Sequence, residues 1–202
     1  MNQPGLTLGP PHHERADAAR NRRHLLAAAR QMLAEQGPDK LTMDALAERA
    51  GLGKGTVFRR FGTRAGIFQA LLDDDERDFQ ARVLSGPPPL GPGAPALDRL
   101  IAYGRARSGF MTGRRVIARA ALDGREPIGH QTPISRVHIR YLLQEMRLAA
   151  VDLDVLALQL TAALDAPLLY LSGADDSPEV AERLGRGWED LVRRVCGPER
   201  RA

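Results

Sequence analysis

The chain has 202 residues, 43% of them hydrophobic and 4% aromatic, with 29 Lys or Arg against 25 Asp or Glu. That length holds one large domain or two small ones, and the apolar share excludes wholesale disorder. With no apolar run of the roughly 18 residues a membrane span needs, no apolar signal core in the first 14 residues and a lone Cys196 that cannot form an internal disulfide, a cytoplasmic protein without membrane partners is expected.

The charge is unevenly placed. Residues 1–64 hold 11 Lys or Arg and 6 Asp or Glu, a net of +5, whereas residues 65–202 hold 18 against 19. A basic segment on an otherwise neutral chain points to a polyanionic partner, although an ordinary Arg-rich solvated surface gives the same count.

In chain order, residues 1–14 contain Pro4, Pro10, Pro11, His12 and His13 without apolar period, and read as a flexible tail. A helix is predicted over 15–36, with Leu25, Ala29, Met32 and Leu33 on one face and Gly37-Pro38 as its stop. Thr42 is placed to cap a short helix over 43–50, with Asp44 in its first turn and Gly51 after it. A second short helix is predicted over 55–61, and a longer one over 64–84. The Pro- and Gly-rich stretch 85–95 reads as a loop. Further helices are predicted over 96–111 and 114–122. Thr132-Pro133 then opens a helix carrying Ile134, Val137, His138, Tyr141, Leu142 and Leu148. A strongly apolar helix over 153–171, closed by Gly173, and a last one begun by Ser177-Pro178-Glu179 and ending near Cys196 complete an all-α chain of about nine helices.

The segment 42–61 carries the most information. Two short helices are joined by Gly51-Leu52-Gly53-Lys54, the connection length of a helix-turn-helix. Ala47 allows close approach of the helices, and Gly51 can take the positive φ of the turn. Leu46, Ala50, Leu52, Val57, Phe58 and Phe61 can form a small core. Lys54, Gly55, Thr56, Arg59 and Arg60 then face outward, in reach of base edges, while Arg59, Arg60 and Arg64 can neutralise phosphates.

The stretch from Met43 to Phe61, extended by Ala27-Ala28-Ala29 before it and by Gly62-Thr63-Arg64-Ala65-Gly66-Ile67-Phe68 after it, resembles the DNA-binding signature of TetR-type regulators. The resemblance covers roughly residues 18–72. It implies an N-terminal three-helix DNA-binding domain over 15–63 and a ligand-binding and dimerisation domain over 64–202. It implies a homodimer on an inverted-repeat, double-stranded operator, released by a small effector. The family commonly has Tyr where Phe58 stands, and that Tyr often contacts a phosphate; Phe58 has no hydroxyl. The candidate DNA contacts are Thr42, Lys54, Gly55, Thr56, Phe58, Arg59, Arg60 and Arg64.

In the remainder, Tyr103, Phe110, Met111, His138 and Tyr141 are candidate effector contacts in a mainly apolar pocket, which suggests a small hydrophobic or aromatic ligand. On the last helix, Val180, Leu184, Trp188, Leu191 and Val195 form a stripe that pairing with a second copy would bury, so Leu184, Trp188, Leu191 and Val195 are candidate interface residues. The helix over 64–84, begun by Gly62-Thr63, links the two domains and could tilt the DNA-binding head when an effector binds.

An enzyme is disfavoured. None of His12, His13, His24, His130 or His138 has metal-ligand spacing, no cofactor motif is present, and Asp73-Asp74-Asp75-Glu76 reads as a solvated helix face. The remaining alternative is a basic helical protein that binds nucleic acid or an anionic membrane surface without ligand control.

Overall fold

The computed structural model describes residues 12–122, 133–149, 151–170 and 178–197. The expected tail over 1–11, the loop 123–131, the Thr132 cap, Gly173 and Ser177 lie outside them. Among the described residues there are nine α-helices, a short 3-10 turn at Pro38–Lys40 and no strand. The helices are α1 His12–Gln36, α2 Met43–Ala50, α3 Lys54–Phe61, α4 Arg64–Ser85, α5 Ala96–Thr112, α6 Arg115–Leu122, α7 Pro133–Glu145, α8 Leu153–Tyr170 and α9 Pro178–Cys196. Two compact units divide within α4, one reaching Asp73 and the other starting at Asp74.

Local chemistry sets the ends of the first helices. His12 already belongs to α1, so the expected tail over 1–14 loses its last three residues to the helix. Gly37 stops α1 at φ 81°. Thr42 opens α2, its Oγ1 accepting from the Ala45 N–H at 3.1 Å. Gly51 closes α2 at φ 63°; its N–H reaches Glu48 O and the Leu52 N–H reaches Ala47 O, the paired bonds of a Schellman turn. In this unit α1 packs on α2 and α2 on α3. Leu25, Leu26, Ala29, Leu46, Ala47 and Val57 are buried, joined by Ile67, Phe68 and Leu71 from the first half of α4. Phe58, expected in this core, is 62% exposed. Leu52 is only half-buried.

The second unit is built round α5, which packs against α9, α7 and α8, while α7 packs on α8. Its core holds Leu100, Ile101 and Tyr103 of α5, Ile139, Leu142 and Leu143 of α7, Leu156 and Leu160 of α8, and Trp188 and Val192 of α9. Two faces differ from expectation. On α7 the buried stripe is Ser135, Ile139 and Leu142, so Ile134, Val137 and Tyr141 point outward at 50%, 65% and 49% exposure. The helix also stops at Glu145, short of Leu148, because Arg147 takes φ 51°. On α9 the buried stripe is Gly185, Trp188, Val192 and Cys196.

Trp188, expected in a seam between two copies, is already buried within its own chain. It is 4% exposed within its own chain, and its indole Nε1 donates to Leu100 O at 2.9 Å. The ring lies flat against α5 because residue 104 is glycine: a Cβ there would stand 2.0 Å from Trp188 Nε1 and 2.1 Å from Cε2. Gly104→Ala should accordingly destabilise the chain by about 1–3 kcal/mol, the usual penalty for overpacking a filled core. Thermal unfolding measures it, and an unchanged midpoint would show that α5 and α9 are not held at this distance.

Candidate nucleic-acid interface

The eight residues of α3 bury Val57 and Phe61 against α2. At about 100° per residue, Gly55 and Arg59 fall opposite those two, with Thr56 and Phe58 on either flank. Gly55, Phe58, Arg59 and Arg60 are exposed, and Thr56 is half-buried. Gly53 precedes α3 without a side-chain cap, and no acidic residue lies in its first turn. The helix N-terminus is thus left suited to an anion. An added Cβ at Gly53 or Gly55 would meet nothing within 4 Å, so another backbone can approach there.

The cationic residues divide by what holds them. Lys54 pairs with Asp44 at 2.8 Å, both exposed, a contact weak enough to exchange for a phosphate. The Arg60 guanidinium donates to Ala18 O at 2.8 Å, which orders it along α1. Arg64, expected to contact phosphate, is mainly a structural clamp. Its Nε donates to Leu41 O at 2.8 Å, a terminal nitrogen donates to Pro38 O at 2.6 Å, and the guanidinium lies 5.0 Å over the Phe68 ring. Thr42 Oγ1 accepts the α2 capping bond, and its O–H can still donate outward. Two further ties escaped sequence reading because they join residues distant along the chain. His24 Nε2 meets Ala50 O at 3.0 Å, and Arg49 bonds Glu35 at 2.6 Å, which holds the Glu35 carboxyl below the usual carboxylate range.

In the second unit, a cleft of about 310 Å³ is lined by Asp75, Asp78, Phe79, Arg82, Ala106, Gly109, Phe110 and Arg114. Of the five residues expected to contact a ligand, Phe110 lines it. Tyr103 is buried and donates to Ser135 Oγ at 2.6 Å. His138 packs on the Tyr103 ring at 4.8 Å between centroids, its Nε2 buried without a protein partner. Met111 is half-buried, and Tyr141 is exposed on the outside of α7.

The acidic run on α4, read as a solvated face, is instead partly engaged. Glu76 binds Arg107 at 2.6 Å, and Asp75 binds Arg114 at 2.8 Å. Arg107 is only 2% exposed, and both guanidinium groups sit over Phe110, at 5.0 and 4.4 Å. This lining is more polar than the apolar pocket expected. The sequence held one signal for it, Arg114 four residues after Phe110.

On α9, Leu184 is half-buried, while Leu191 and Val195 are 37% and 44% exposed. On α8, Val155 and Leu158 are 48% and 51% exposed. Among the described residues no helix is long and apolar enough to cross a membrane.

The family model for bacterial regulatory proteins of the tetR family matches residues 25–71, the span that holds Thr42, α3 and Arg64. Over 184 residues the chain is 32% identical to the HTH-type transcriptional repressor Rv3405c of Mycobacterium tuberculosis, which covers 86% of this chain and 88% of that protein. Over 59 residues it is 37% identical to the DNA-binding transcriptional repressor TetR of Mycobacteroides abscessus, 29% of this chain and 31% of that one. In fold it is similar to the crystal structure of a TetR-family transcriptional regulator from Pectobacterium atrosepticum, with a TM-score of 0.66, 20% identity, and coverage of 92% and 99% of the two chains.

Two outcomes follow from these contacts. Arg64→Ala should lower thermal stability, because it removes two charged donors from the Pro38 and Leu41 carbonyls, each bond contributing about 1.5–3 kcal/mol. Arg64→Lys should not restore it, since an ammonium cannot span both acceptors as the planar fork does. A variant that lost DNA affinity with unchanged melting would return Arg64 to the phosphate contacts. His138 gives a pH signature. Burial first, and then the nearby Arg99, push its imidazole down to about 4, against an ordinary 6.5. Between those values the unfolded chain binds the proton and the folded chain does not, so stability is full above about pH 6.5 and falls as pH drops towards 4. His138→Gln should flatten that part of the stability–pH curve; an unaltered slope would show that the imidazole is solvated.

Proposed function

The chain belongs to the tetR family of bacterial regulatory proteins, and on that footing we propose that it is a repressor whose homodimer grips an inverted-repeat operator and releases it when a small effector binds the second unit. The observation that carries this reading is the outward face of α3. A short helix presents Gly55, Thr56, Phe58 and Arg59 to the outside on a unit with excess positive charge, and the only residues it buries are Val57 and Phe61. Such a helix enters a major groove with its first turns at the base edges.

One α3 contacts too little surface for a strongly specific complex, so two copies are required. The exposed Leu191 and Val195 of α9 and Val155 and Leu158 of α8 support pairing through those helices. Trp188 is not needed for it. The cleft beside Phe79 and Phe110 supports effector control, and its Asp75, Asp78, Arg82 and Arg114 favour an aromatic molecule that also carries polar groups over a purely hydrophobic one.

The test is binding of the purified chain to its own upstream DNA, with sedimentation at micromolar concentration. A monomer of 22.1 kDa that still bound one site specifically would end the dimer reading. Arg59→Ala should cost roughly 1–3 kcal/mol on the operator and relax one position in each half-site, because Arg59 is centred on the outward face. Arg60 lies about 100° away, beside α1, so Arg60→Ala should weaken operator and random DNA alike and lower the salt slope by about 0.9. Equal losses on operator and random DNA for both variants would leave base reading to other residues.

A further inference from the structure

Phe58 is the largest apolar side chain that α3 exposes; it stands on the flank of the helix next to Gly55 and is 62% exposed. It belongs to neither the α2–α3 core nor any ring pair among the described residues. A lone exposed apolar residue needs no explanation on an ordinary surface. This one flanks Gly55 and Arg59 on the face proposed to meet DNA, and whatever covers it there must match its chemistry. A phenyl ring cannot donate to a phosphate, and it offers nothing to the hydrogen-bonding edges of guanine, cytosine or adenine. The major groove displays one apolar group of its own, the C5-methyl of thymine. One turn before Phe58, Gly55 has no side chain and open space where a Cβ would stand. The ring can therefore approach the groove floor without an intervening side chain.

We propose that Phe58 is a specificity-determining residue that reads a thymine in each half-site by packing its ring on the C5-methyl group. The inference rests on the operator-binding reading above and adds to it the base, the atom and the kind of contact. Contact with the methyl buries about one carbon from water, which corresponds to roughly fourfold in affinity per half-site and about tenfold or more when both half-sites of a symmetric operator lose it.

The experiment compares the full-length protein on one bound upstream fragment prepared either with thymine or with deoxyuridine throughout. The base pairs and hydrogen-bonding edges are kept, and only the methyl groups go. The wild type should bind the uracil form about tenfold more weakly. Phe58→Ala, which empties an exposed site and leaves Val57 and Phe61 in the core, should bind the thymine form more weakly than wild type and lose little more on the uracil form. Phe58→Leu should keep part of the thymine preference. Returning thymines one pair at a time to the uracil fragment should restore wild-type affinity at one symmetric pair of positions. Equal sensitivity of wild type and Phe58→Ala to uracil would overturn the proposal while leaving operator binding intact. If no fragment is preferred over random DNA by the wild type, operator reading fails, and this inference fails with it.

Discussion

An eight-residue helix has no stability of its own. Isolated helices shorter than about 12–15 residues are marginal in water even with favourable sequences, and α3 contains Gly55 and Thr56 besides. Val57 and Phe61 are all that it buries, so its position is imposed by what surrounds it. The surroundings are correspondingly over-determined. The Schellman turn at Gly51 sets where the chain leaves α2. His24 ties α1 to the last carbonyl of α2, and Arg49 ties α2 back to Glu35. Arg64, immediately after α3, fastens the start of α4 to the Pro38 and Leu41 carbonyls. Each tie spends a polar group on geometry, and Gly55, Phe58 and Arg59 of α3 take part in none of these ties.

The second unit solves a different problem. Arg107 is buried with its charge, which is expensive unless the partner geometry is good. Glu76 supplies one short contact, and Phe79 and Phe110 supply ring faces at 5.5 and 5.0 Å. Nearby, burial lifts the Asp165 carboxyl above its usual range against the pull of Arg107. Such a cluster contributes little to stability compared with an apolar core of the same volume, but it is selective, because any molecule entering beside Phe110 meets fixed charges. Glu76 and Asp75 stand on α4, the helix that also supplies Ile67, Phe68 and Leu71 to the first unit. One continuous helix thus belongs to both cores.

How much of this was legible in the sequence depended on whether a local rule decided it. Thr42 acts through its own hydroxyl on the turn that follows it, Gly51 and the Pro- and Gly-rich stretch after α4 act through their own backbone, and the ends of α2 were read without structure. Faces were harder. On α7 both Ile134-Val137-Tyr141 and Ser135-Ile139-Leu142 have helical spacing, and only packing against α5 and α8 selects the second. On α9 the stripe through Leu191 and the stripe through Val192 share Trp188. The choice was made by Gly104, eighty-four residues earlier in the chain, whose missing side chain admits the indole. The cleft was the least legible part. Its Asp75 pairs with Arg114, and the largely buried Glu76–Arg107 pair stands behind Phe110; no spacing rule connects Asp75 to Arg114 or Glu76 to Arg107. Phe58 was read two ways at once, as core and as DNA contact, because an aromatic residue fits either; its exposure decided for the outside.

On the proposed reading, the modest size of the outward face of α3 bears on regulation. With Thr56, Phe58 and Arg59 as its main side chains, α3 would supply only a few base contacts, each of roughly 1–3 kcal/mol at best. Two-fold pairing would use every one of them twice, and only while both helices meet their half-sites together. Losing the fit of one copy therefore forfeits half of the specific contacts, while the phosphate attraction of the basic segment persists for random DNA. A ligand need not abolish DNA affinity to release the operator; it needs to prefer, by a few kcal/mol, an arrangement in which both half-sites cannot be read at once. Were the proposed effector to act so, reciprocity would require operator DNA to weaken its binding by the same factor. On the proposed reading α4 is the natural route for that coupling, since it follows α3 after two residues and its second half supplies Asp75, Asp78 and Phe79 to the cleft.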